Sequence, residues 1–88
     1  MVKYQLLFSP QSKKDAKNIK RSGLKDKVNE LLDLIEVNPL GYPPQFEFLT
    51  GNLKGKISRR INKQHRLVYE IFEDEKIIKI YRMWTHYE

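Results

Sequence analysis

No cysteine occurs in the 88 residues, so disulfide staples and thiolate metal sites are excluded. Histidine is almost as scarce. His65 and His86 are the only two, and no zinc-ligand spacing can be composed from them. No apolar run is long enough to cross a bilayer, and the apolar stretch in MVKYQLLFSPQS is too short for a signal peptide. These absences point to cytoplasmic residence, with no membrane partner and no cofactor.

The most informative absence is local. Between Glu47 and Glu70 there is no acidic residue, while Lys54, Lys56, Arg59, Arg60, Lys63 and Arg66 fall in that interval. The whole chain carries 17 Lys and Arg against 11 Asp and Glu, a net +6, so these six positions account for the entire excess. A local field of this kind attracts phosphate backbones or an acidic protein partner. The bland alternative is a solvated, solubilising face.

What is present suits one small domain spanning 1–88. Hydrophobic residues make up 40% of the chain, enough for a single modest core. Val2, Tyr4, Leu6 and Phe8 alternate with Lys3, Gln5 and Leu7 and predict a strand. Ser9-Pro10 supplies a helix cap and a first-turn proline, and Ser22-Gly23 stops that helix. Leu24, Val28, Leu31, Leu32 and Ile35 form a helical apolar stripe that ends before Asn38-Pro39. Beyond the PLGYPPQ loop the period changes to two. Strands are expected over Glu47–Leu49, Lys56–Ile61, Arg66–Phe72 and Ile77–Trp84, with a turn at Thr50-Gly51-Asn52. Successive strands on short turns pair antiparallel. The helix pair then covers one face of the sheet, and the basic side chains line the other.

An open basic sheet face with aromatics such as Trp84 and Tyr87 can cradle single-stranded RNA. Cleavage asks for more. RNA carries its own nucleophile in the 2′-OH, so a nuclease acting without a metal must supply a base, an acid and cations for the phosphorane. Glu47 is a candidate base, His86 a candidate acid, and Arg60 and Arg66 candidate stabilisers. Arg59 and Arg60 point to opposite strand faces, so at least one of them is solvated or paired with Glu73 or Glu75. His65, at the turn before Arg66, reads as positional rather than catalytic.

The stretch GNLKGKISRRINKQHRLVYEI, with a Glu a few residues upstream and HY near the end, resembles the YoeB/Txe toxins of the RelE superfamily. These are bacterial type II toxin–antitoxin nucleases. The likeness runs over nearly the whole chain and includes NELLDLI in the second helix. It implies an α+β, RelE-like fold with two N-terminal helices packed on one face of a small, mostly antiparallel sheet. It implies an endoribonuclease acting on mRNA in the A site of the 70S ribosome, neutralised by a YefM/Axe-like antitoxin, with homodimers in some members. By position, Glu47 aligns with the family's base, Arg60 and Arg66 with its arginines, and His86 and Tyr87 with its C-terminal pair. The Tyr helps to position substrate.

Two positions depart from the pattern. The family lysine three residues after the glutamate is Thr50 here, which leaves Lys54 or Lys56 to replace that phosphate contact. Glu88 extends the tail beyond the Tyr, and a carboxylate close to His86 would raise its pKa. The alternative reading is a toxin of the same fold that inhibits a protein target such as gyrase and cleaves nothing.

Overall fold

The computed structural model describes residues 3–42 and 45–84. Its elements run β1 (Gln5–Phe8), α1 (Pro10–Arg21), α2 (Lys25–Val37), β2 (Phe46–Phe48), β3 (Lys56–Arg60), β4 (Arg66–Phe72) and β5 (Ile77–Arg82), with one 3-10 turn over Gly51–Leu53. The five strands form one sheet in the order β1-β5-β4-β3-β2. Every neighbouring pair is antiparallel except β1 with β5, which is parallel. The fold is α+β, two helices on a mostly antiparallel sheet. The expected elements are present with trimmed ends: β2 starts one residue earlier, β3 stops at Arg60 and β5 at Arg82. The expected Thr50–Asn52 turn is a 3-10 turn one residue later.

Local chemistry sets the helix ends. The Ser9 side chain accepts a hydrogen bond from the Ser12 amide at 3.1 Å, and Pro10 occupies the first turn. Ser9 Oγ also donates to the Tyr81 carbonyl at 3.0 Å, which ties the start of α1 to β5. At the other end Gly23 takes φ +80°, and the Leu24 amide bonds back to the Ile19 carbonyl. That left-handed turn needs glycine and closes the last carbonyls of α1.

The core lies between the helices and one sheet face. Val28, Leu31 and Ile35 of α2 and Ile19 of α1 meet Ile57, Leu67, Tyr69, Ile78 and Ile80, all buried. In α1 the other buried positions are Ser12 and Asp15, so two of its three inward positions are polar. Among the described residues no helix packs on the opposite sheet face. Because partners across a strand pair share a face, that side carries Glu47, Ser58 and Val68 in one row and Arg60 beside Arg66 in the next.

One member of the basic run does not lie on that face. Arg59 is fully buried on the helix side. Its Nε donates to the Tyr69 hydroxyl at 2.9 Å, and its Nη2 donates to the carbonyls of Pro39 and Gly41 at 3.1 and 2.8 Å. Its guanidinium also sits 4.7 Å from the centre of the Phe46 ring. The expectation that the basic side chains line the open face does not hold for Arg59, which is the inward member of the adjacent pair. Of that adjacent pair Arg60 is the solvated one, and Glu73 binds Tyr4 and Lys76. Burial decides the matter: a guanidinium taken out of water must find acceptors, and the loop carbonyls before β2 supply them.

Candidate functional site

Strand alternation places Glu47, Ser58, Arg60 and Arg66 on the same face, and the sheet brings them together. With Gln45 and Phe46 they line an open recess of about 330 Å³. Arg66 Nη1 stands 3.5 Å from Glu47 Oε1, with the arginine largely covered and the glutamate about half exposed. Glu47 is thus held beside a cation across the middle strand. Arg60 pairs with Arg66 in register across the β3–β4 hairpin, so two guanidiniums edge one recess. Guanidiniums so placed can each offer two parallel N–H donors to an anion in the recess.

The position of Glu47 depends on the loop before it. Arg59 and Tyr69 clamp that loop from inside the core, for the Tyr69 hydroxyl also donates to the Pro39 carbonyl at 2.7 Å. Burial pushes the Tyr69 phenol up, partly offset by Arg59, so the hydroxyl stays a neutral donor. The adjacent Arg59 and Arg60 divide the work: one fixes the frame and the other faces the recess.

Two anchors hold the end of β5, from which the chain runs into 85–88. Arg82 Nε and the Met83 amide both donate to Asp15 Oδ2 at 3.0 Å, and Gln11 donates to Asp15 Oδ1 at 3.0 Å. Burial disfavours the charged form of Asp15. These hydrogen bonds and the Arg82 charge outweigh it and hold the carboxyl below its ordinary value. The second anchor is the Trp84 ring, stacked on His65 with centroids 3.9 Å apart and planes 16° apart. His65 is buried at the base of the β3–β4 turn, where its carbonyl accepts from the Ile61 amide. Trp84 is therefore engaged with a neighbour. The sequence offered no signal for Asp15, since a single acid in a Lys-rich helix resembles a surface residue. His86, Tyr87 and Glu88 lie outside the described residues.

Neither Lys54 nor Lys56 lines the recess. Lys56 Nζ lies 4.8 Å from the centre of the Tyr81 ring, and Lys79 Nζ lies 5.4 Å from it. The Tyr81 hydroxyl donates to Glu70 Oε1 at 2.8 Å, and burial together with that carboxylate pushes the phenol up to about 12. Lys54 is exposed after the 3-10 turn.

The geometry can be set beside known proteins. The solved YoeB–YefM complex of Staphylococcus aureus contains a chain 39% identical, with a TM-score of 0.80 over 96% of this chain and 98% of that one. A YoeB/ParE toxin from Agrobacterium tumefaciens is 26% identical and superposes with a TM-score of 0.86, covering 94% and 99% of the two chains. Toxin YoeB of Escherichia coli K12 is 40% identical over 52 residues, a span of 59% of this chain but only 62% of that toxin. The model of YoeB-like toxins of bacterial type II toxin–antitoxin systems matches residues 8–87, which include every strand and helix after β1 and the whole recess. On that match the chain belongs to the YoeB family of the RelE superfamily.

Proposed function

We propose that the chain is a ribosome-dependent mRNA endonuclease that turns the substrate's own 2′-OH against the adjacent phosphate. The observation that carries this reading is the meeting of one carboxylate and two guanidiniums in a single open recess. A general base must lie where the 2′ proton leaves. The cations must lie where the phosphorane gains charge, and these two places are neighbours in the substrate.

In the free protein Arg66 is paired with Glu47. An entering phosphodiester competes for the guanidinium, which can present two parallel N–H donors to two phosphate oxygens. Glu47 then faces the ribose and takes the 2′ proton, while Arg60 and Arg66 hold the non-bridging oxygens. His86 is assigned the proton that the departing 5′ oxygen needs, and Tyr87 substrate positioning. Lys54 and Lys56, set away from the recess, serve the flanking phosphates. A neutral imidazole near physiological pH is readily protonated, which suits the acid role.

The partners follow from the same charge pattern. YoeB of Staphylococcus aureus is solved both in complex with YefM and as a dimer. An acidic antitoxin that covers the basic recess fits this chain, and so does self-association. The expected place of action is the bacterial cytoplasm, on the 70S ribosome.

The test is single-turnover cleavage of an mRNA bound in the A site. Wild type should cut it and leave a 2′,3′-cyclic phosphate, and a message with a 2′-deoxy sugar at the cut should resist. Glu47→Gln should slow cleavage about 10²–10⁴-fold, the usual contribution of a positioned base. Uncut message, with replication halted in cells that express the chain, would instead favour a toxin acting on a protein target.

A further inference from the structure

The recess contains a polar group that none of the roles above uses. Ser58 is 1% exposed, yet among the described residues its Oγ has no hydrogen-bond partner. It lines the same recess as Glu47, Arg60 and Arg66. Ser58 faces Glu47 across β2–β3 and Val68 across β3–β4, so one cross-strand neighbour is the candidate base and the other is apolar. Arg60 is two residues along the same strand and shares its face.

A buried hydroxyl without a partner is destabilising, and alanine at this position would avoid the desolvation penalty. Such groups in folded proteins are accounted for by local strain, a catalytic role, or a bound water or ion. The surroundings select the ligand. Two guanidiniums recruit an anion to the recess, and a hydroxyl between them and Glu47 adds a donor on the carboxylate side. We propose that Ser58 is a substrate-contacting residue whose Oγ donates a hydrogen bond to a non-bridging oxygen of the scissile phosphate. The assignment rests on the nuclease reading of the recess. It makes Ser58 a third donor to the phosphorane, complementary to the two arginines, and gives its unmet donor a partner only when RNA is bound.

The experiment compares Ser58→Ala and Ser58→Cys with wild type in melting temperature and in single-turnover cleavage of ribosome-bound mRNA. Both variants should melt at or above the wild-type temperature, because no bond among the described residues is lost. Both should cleave about 10- to 100-fold more slowly, as expected for loss of one hydrogen bond to a charged oxygen. Messages with sulfur in place of one non-bridging oxygen supply the decisive comparison. One of the two diastereomers should slow wild type by a similar factor and leave Ser58→Ala no slower than it already is. Wild-type rates in Ser58→Ala while Glu47→Gln is inactive would overturn the role of Ser58 alone. Melting temperature and rate falling together, with both diastereomers still slowing the variant, would make Ser58 structural. Wild type that leaves the message whole would overturn the nuclease reading and this assignment with it.

Discussion

Arg59 and Arg60 are adjacent in sequence and opposite in environment. Arg59 is wholly buried against two loop carbonyls and the Tyr69 hydroxyl, whereas Arg60 is exposed at the recess. Alternation alone shows that they face apart, but it does not say which one turns inward. That depends on the carbonyls of Pro39 and Gly41, about twenty residues away in sequence. Spacing alone does not join Glu47, Arg60 and Arg66; the family resemblance groups them, and the sheet brings them together by pairing positions 60 and 66 with β2 the next strand over. Arg59→Ala should cost about 3–4 kcal/mol, since each buried polar group left unsatisfied costs about 1–3 kcal/mol. Arg60→Ala should change stability by no more than about 0.5 kcal/mol. Its effect should appear in turnover instead, with cleavage slowed about 10²-fold as for loss of a charge-stabilising donor. Urea denaturation measures the first difference. Equal destabilisation by the two variants would contradict the assignment of faces.

At the level of elements, the helices and the three-strand meander could be read from period and punctuation. Two features could not. The parallel pairing of β1 with β5 joins segments some seventy residues apart, and no turn signal specifies it. Only Ile19 of the buried stripe Ser12, Asp15, Ile19 of α1 is apolar, and Asp15 is buried there because its partners are donors at the end of β5. Asp15 therefore makes an electrostatic joint between helix and strand. Its carboxyl is held below the ordinary value of 3.8, so its contribution to stability is complete above that pH. It is lost as the pH falls through the lower folded value. Asp15→Asn keeps the volume and removes the charge, and should cost about 2 kcal/mol near neutrality, where hydrogen bonds to a charged group are the stronger kind. Urea midpoints followed from about pH 6 down to about pH 2.5 should fall steeply for wild type below about pH 4 and less steeply for the variant. Parallel acid limbs would mean that the joint is not electrostatic.

For the molecule as a whole, the +6 charge is less informative than where it lies. The acid-free interval, read as one patch, divides by environment. Arg59 is internal, Arg60 and Arg66 edge the recess, Lys56 lies over Tyr81, and Lys54 and Lys63 are exposed. Lysines also rim the helix layer, where Lys13, Lys20 and Lys25 surround an apolar groove with Phe8, Ile19 and Leu32 on its lining. The two groups separate net charge from local field. At physiological ionic strength charges are screened beyond about 8 Å, so lysines on the helix layer act weakly on a phosphate at the open sheet face. Removing Lys54 and Lys63 as glutamines should weaken ribosome binding. It should also lower the slope of log K against log salt by about 1.4–1.8, the value for two lost phosphate contacts. Lys13→Gln with Lys20→Gln makes the same change in net charge and should leave that slope nearly unaltered. Ribosome binding measured over a series of salt concentrations checks both. Equal slopes for the two double variants would show that overall charge, and not the acid-free interval, brings the protein to RNA.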